Sequence, residues 1–169
     1  MSAALPESVD AWRMVQGQRA FQGRLPLSGL QRLSGSLADT VGDVVYDLEF
    51  GRDAFGIAFL RLHVDAGLPL ICQRTLERFV QPVTIDQRLG LIGKEQDEAG
   101  LPEGYEPLLI ADGQLAPADV IEDELILTLP VVPVSPGAPL EFTTGIEEPA
   151  EAEEARENPF AVLARLRQD

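Results

Sequence analysis

Residues 68–83 read LPLICQRTLERFVQPV, and the seven positions from Cys72 to Arg78 hold the chain's single cysteine, two arginines and a glutamate between two apolar runs. A nucleophile, a metal site, a binding surface and plain sheet all use such residues. A nucleophilic cysteine needs a base, and His63 is the one histidine. It stands nine residues before Cys72, across an expected turn, where the two side chains could face each other. No third group marks itself to orient that base, and no oxyanion site is evident; a lone strand cysteine ordinarily serves as small core filling. Zinc takes about four soft or borderline ligands, which one Cys and one His do not supply. The carboxylates Glu122, Asp123 and Glu124 offer the other place for metal-assisted chemistry, although acids at a helix start usually face solvent. No glycine-rich phosphate loop leads into a helix with Lys and Ser/Thr, which sets aside kinase-like and dehydrogenase-like functions. No catalytic residue, metal site or cofactor is expected.

Arginine supplies twelve of the thirteen basic residues, a bias that suits forked contacts to carboxylate or phosphate and that a GC-rich genome would also produce. Arg24, Arg32, Arg61, Arg74 and Arg78 are the candidate RNA contacts, with Arg13, Arg19 and Arg88 on the same half. Aromatic interleaving is thin, limited to Phe21, Phe55 and Phe79, so a base-stacking platform has weak support. Charge is divided unevenly. Residues 1–92 carry nine arginines and ten acids; residues 93–169 carry four basic and eighteen acidic residues, so fourteen of the fifteen net negative charges lie there. Such an excess repels phosphate and attracts basic protein partners.

The elements that must position these residues read as one β-rich α+β domain over residues 1–136, followed by an acidic, proline-containing linker at 137–157 and a short amphipathic helix at 158–168. Ser8 caps a helix over about 8–16. Gly23 and Pro26 break the chain, and Leu27, Leu30 and Leu33 form one or two helical turns with Arg24 and Arg32 outside. From Val44 the period becomes two. VVYDLEFGRD and GIAFLRLHVD make a hairpin with Ile57, Phe59, Leu62 and Val64 alternating around Arg61, His63 and Asp65. Gly67 turns the chain into a third and a fourth strand, the latter confined by Pro82 to an edge or bulge, completing an antiparallel meander. Residues 93–105 form an exposed loop. Asp119 caps a helix that stops at Pro130, with Ile121, Leu125 and Leu129 on one face, and VVPV continues as an edge strand. Asn158 and Pro159 then open the terminal helix, whose Phe160, Leu163 and Leu166 share a side. One cysteine, no signal-peptide start and no apolar run near 18 residues fit a soluble, cytoplasmic protein.

Three segments together, CQRTLERFVQPV, LAPADVIEDELILTLPVVP and the closing NPFAVLARLR, resemble in order and spacing the bacterial YceD family of large-subunit ribosomal RNA accumulation proteins. The resemblance implies a non-enzymatic role in accumulation or maturation of 23S ribosomal RNA. Its partners would be a large-subunit precursor, through that RNA, a basic ribosomal protein, or both. It implies binding residues at Cys72, Arg74, Leu76 and Glu77, at Asp123 and Glu124, and at Asn158, Pro159 and Phe160. The family's Cys-x-Arg-Cys-Leu-Glu pattern has Thr75 in place of its second cysteine here, and half of a dithiol cannot clamp a metal.

Overall fold

The computed structural model describes residues 5–137, which lie within one compact unit, Met1–Ala138. The linker beyond Gly137 and the terminal helix fall outside the described residues. In chain order the elements are β1 (Val9–Asp10), α1 (Ala11–Gln16), β2 (Ala20–Pro26), α2 (Gln31–Ser34), β3 (Asp43–Arg52), β4 (Ala58–Ile71), β5 (Arg78–Ile92), β6 (Glu106–Leu109), β7 (Gln114–Leu115) and α3 (Pro117–Leu127). Short 3-10 turns occupy Leu27–Gly29 and Glu95–Gly100. A five-stranded sheet has the order β2-β3-β4-β5-β6, antiparallel except where β6 joins β5 in parallel, and β1 pairs with β7 in a separate ribbon. The chain is thus mixed α+β and β-rich, with few short helices.

One face of the sheet carries the core. Val44, Tyr46, Leu48 and Phe50 of β3, Leu60, Leu62 and Val64 of β4, and Ile85, Leu89 and Leu91 of β5 pack in one cluster with Ala11 and Val15 of α1, Leu27, Leu30, Leu33, and Val120, Ile121 and Leu125 of α3. Alternation of two along each strand puts every second residue there and the rest on the opposite face.

Several local expectations change. β4 buries Ala58, Leu60, Leu62 and Val64, so Phe59 belongs to the outer face with Arg61, His63 and Asp65. β2 runs unbroken through Gly23 to Pro26, which pairs with Asp43, because proline is tolerated at the end of an edge strand. Gly67 makes no turn: β4 continues to Ile71, paired with Arg78, and a Cβ at Gly67 would lie 2.9 Å from the Val80 side chain. Pro82 sits where β5 pairs on one side, since β6 reaches only Leu89–Ile92. The first helix begins at Ala11, capped by Asp10 rather than Ser8: the Arg13 N–H donates to Asp10 Oδ1 at 2.9 Å. The third begins at Pro117, whose missing N–H is harmless in the first turn, leaving Asp119 inside the helix. Residues 131–134 form no strand; the Pro133 carbonyl instead accepts the Gln73 N–H at 2.8 Å.

The helical layer is fastened by one carboxylate. α2 is four residues long, and Leu30 at its N-cap offers no side-chain acceptor. Glu122 of α3 fills that role from ninety residues away: Oε1 accepts the backbone N–H of Arg32 at 2.7 Å and of Leu33 at 3.0 Å. Arg32 Nε donates to Oε2 at 3.0 Å, and the same guanidinium reaches Asp123 and the Asp119 carbonyl. At 5% exposure, Glu122 is the buried charged residue among the described ones. Replacing Glu122 by Ala leaves two helix-start N–H groups without their acceptor and the Arg32 guanidinium with only Asp123 and the Asp119 carbonyl, an expected loss of about 2–4 kcal/mol in denaturant unfolding. Glu122→Gln, which keeps one acceptor oxygen, should lose less; equal stability of wild type and Ala variant would show the cap to be dispensable.

Candidate functional site

The CQRTLE motif is the turn between β4 and β5. The Cys72 N–H donates to the Glu77 carbonyl at 2.9 Å and the Leu76 N–H to the Cys72 carbonyl at 2.8 Å. Leu76 adopts φ +58, a left-handed conformation unusual for a branched residue, and its side chain is 74% exposed. Arg74 and Glu77 are exposed on the same turn, whereas Cys72 is fully buried. Asp39 grips Arg78 through both carboxylate oxygens, and this ion pair holds the Asp39 carboxyl below the usual carboxylate range. Beside it, the Ala38 N–H donates to the Pro69 carbonyl at 2.8 Å. The turn is therefore held by chain from both before and after the strands that it joins.

His63 and Cys72 do not meet as an acid-base pair. Nine residues along one extended segment is an odd number, so His63 points outward while Cys72 points inward. The nearer His63 partner is Asp65, with Nε2 and Oδ2 3.2 Å apart. Among the described residues no group of three or more His, Cys, Asp or Glu side chains is placed to hold a metal ion.

Asp123 and Glu124 lie on α3 and make different contacts from the motif turn. Asp123 pairs with Arg32; half-burial pushes the Glu124 carboxyl up, aided by the charges of Glu106 and Asp123. Asn158, Pro159 and Phe160 lie outside the described residues. Of the five arginines expected to touch RNA, Arg32 binds Glu122 and Asp123, Arg61 binds Asp86 at 3.2 Å, and Arg78 binds Asp39. Arg24 is exposed on β2, bordering a shallow depression with Gln22, Val45, Asp47 and His63. The register forms rows across β3, β4 and β5: Glu49, Arg61 and Arg88 in one, Asp47, His63 and Asp86 in the next, and Val45, Asp65 and Thr84 in a third, with the β4 residue in the middle of each. The outer face therefore interleaves both signs and is not a uniform phosphate-binding plane.

A second group gathers at the opposite end of β4, and reading the sequence did not single it out. The Arg88 guanidinium lies 5.2 Å from the Phe59 ring centroid and 5.6 Å from that of Tyr105. The Tyr105 hydroxyl donates to Asp53 Oδ2 at 2.9 Å, tying the 93–105 segment to the β3–β4 turn. Leu101 packs over Gly90, where a Cβ would lie 2.6 Å from its side chain, so Leu101 and Tyr105 anchor a segment whose other residues are exposed, as expected. The signal in the sequence is Asp53 followed three residues later by Gly56, a pattern that favours a side-chain-capped turn.

The chemically distinctive group is Cys72. Ser135 donates to its Sγ from the hydroxyl at 3.5 Å and from the backbone N–H at 3.4 Å, and Thr75 adds hydroxyl and backbone donors. Donors favour the thiolate, and the pKa falls from 9.0 to about 6, the Ser135 hydroxyl having the largest effect. Because the folded value is depressed, the stabilisation is full above the unfolded thiol's range and is lost as pH falls through about 6. Thiolate absorbance in the near-ultraviolet, unambiguous with one cysteine, should titrate near pH 6 in the native chain and move upward in Ser135→Ala. A native midpoint at the ordinary thiol value would contradict this donor arrangement.

The sequence profile describing the large ribosomal RNA subunit accumulation protein YceD matches residues 60–167. A Haemophilus influenzae protein named large ribosomal RNA subunit accumulation protein YceD is 30% identical over 172 residues, covering 97% of this chain and 97% of that protein. No solved structure matches the chain. Among the described residues no helix is long and apolar enough to cross a membrane. The match spans the hairpin turn of Cys72, the acidic helix α3 and the end of the chain, and the chain belongs to the YceD family, named for large ribosomal RNA subunit accumulation.

Proposed function

We propose that this chain supports 23S ribosomal RNA accumulation and large-subunit assembly by binding, without catalysing a reaction. The observation that carries this reading is the employment of its acidic helix. Glu122 caps α2 and Asp123 pairs with Arg32, so two of the three carboxylates that metal-assisted RNA cleavage would draw on are already engaged within the fold.

Binding divides along the chain as its charge does. The near-neutral residues 1–92 carry the exposed Arg24 and Arg74 and can approach phosphate, while the fourteen net negative charges of residues 93–169 suit a basic ribosomal protein. The motif turn presents Arg74, Leu76 and Glu77 to a partner, with Cys72 shaping it from within; Asp123, Glu124, Asn158, Pro159 and Phe160 belong to the protein-facing part. A second reading, an adaptor that touches only protein, draws on the ion pairs that occupy Arg32, Arg61 and Arg78. Low-salt capture from lysate with the full chain, with and without ribonuclease, separates the two. Recovery of 23S precursor with ribosomal proteins that vanish after ribonuclease is the outcome expected for RNA contact. A ribosomal protein that survives ribonuclease supports the adaptor, and failure to recover any large-subunit component would overturn both.

A further inference from the structure

Phe55 is 88% exposed, yet the turn that carries it is tightly ordered. Asp53 Oδ1 accepts the N–H groups of Phe55 at 2.9 Å and Ile57 at 2.8 Å; the Asp53 N–H donates to the Ile57 carbonyl at 3.0 Å. The Gly56 N–H donates back to the Asp53 carbonyl at 3.1 Å, with Gly56 at φ +84, and Arg52 Nη1 donates to the Gly56 carbonyl at 2.8 Å. A phenyl exposed on a restrained turn gains nothing from burial in the free chain. It is instead preorganised for a contact, because less chain entropy is lost when a partner arrives.

The surroundings indicate the partner's chemistry. Arg52 lies in the turn, and Arg88 stands beside it over Phe59 and Tyr105. The Phe59 ring is seated across Gly51, where a Cβ would meet it at 2.8 Å. The Asp53 carboxylate keeps its charge within the turn, but its oxygens already accept three hydrogen bonds from the turn and from Tyr105, while Arg52 and the neighbouring Arg88 bring two guanidinium charges against that one carboxylate. An aromatic face flanked by guanidinium groups matches an unpaired base between phosphates, and it would repel a lysine- or arginine-rich protein surface.

We propose that the turn of residues 52–57 is a contact for single-stranded RNA, in which Phe55 stacks on an unpaired base while Arg52 and Arg88 meet the neighbouring phosphates. This rests on the RNA-contact reading above and adds to it a place and a preference for unpaired over duplex RNA.

The test uses the full chain and a short unstructured RNA containing 2-aminopurine, alone and annealed to its complement, at low ionic strength. The single strand should bind more tightly than the duplex, with 2-aminopurine fluorescence changing on binding. Phe55→Ala should weaken single-strand binding on the order of tenfold while Phe55→Trp retains it. Arg52→Gln should lower the salt dependence by about one phosphate contact. Unchanged affinity in Phe55→Ala, or equal losses for single strand and duplex, overturns the proposal while leaving RNA contact elsewhere intact. Phe55→Ala that spares RNA but lowers ribonuclease-resistant capture of a ribosomal protein makes the turn a protein contact and also overturns it. Absence of binding to either RNA removes the RNA-contact reading itself.

Discussion

β4 is the strand on which the arrangement depends, because its backbone is paired on both edges. Ala58–Ala66 pairs with β3 and Phe59–Ile71 with β5, and these two registers together assign every side chain of the strand to one face. Leu60, Leu62, Val64 and Leu68 are driven inward to the helices, and Phe59, Arg61, His63 and Asp65 outward. A slip of one residue would exchange the two sets, placing charges in the core and leucines in water. The same parity sends His63 and Cys72 to opposite faces, so a physical rule about strands decides a question about catalysis.

The strand is longer than its neighbour β3, and that mismatch creates the motif turn. Beyond Ala66, β4 and β5 continue as a two-stranded ribbon, which is marginal unless something covers its apolar side. Ala38 and Asp39 approach from before the strands and Pro133 and Ser135 from after them, each joined to the ribbon or turn by hydrogen bonds. Leu68, Leu70 and Cys72 are thereby buried. The cysteine is retained among donors that favour its thiolate, in a turn that places Arg74 and Leu76 in solvent.

Charges divide between holding the fold and facing outward. Arg32 and Glu122 join two helices whose sequences are far apart, and Arg78 with Asp39 secures the ribbon. On the outer face acids and arginines alternate, which favours local pairing over a long-range field. At the ends of the sheet, turns place Phe55, Arg74 and Leu76 in solvent.

Residue pattern alone determined the broad class: period-two runs gave β3 and β4, the spacing of Leu27, Leu30 and Leu33 gave buried helical turns, and three motif segments pointed to the family. These signals are local, carried by periodicity and by the short order of residue types. Strand parity beyond Gly67, the pairing of β6 and the true role of Glu122 were decided only in the folded chain. Glu122 looked like one solvated acid among three because its partners, the N–H groups of Arg32 and Leu33, are ninety residues away and have no side-chain signature. The Phe55 turn was half legible: Asp53 and Gly56 announce a turn, but the seating of Arg88 between Phe59 and Tyr105 needs β4, β5 and the 93–105 segment brought together. Sequence thus set what each short stretch tends to form, while contacts between distant stretches decided which charges hold the fold together and which stand in solvent.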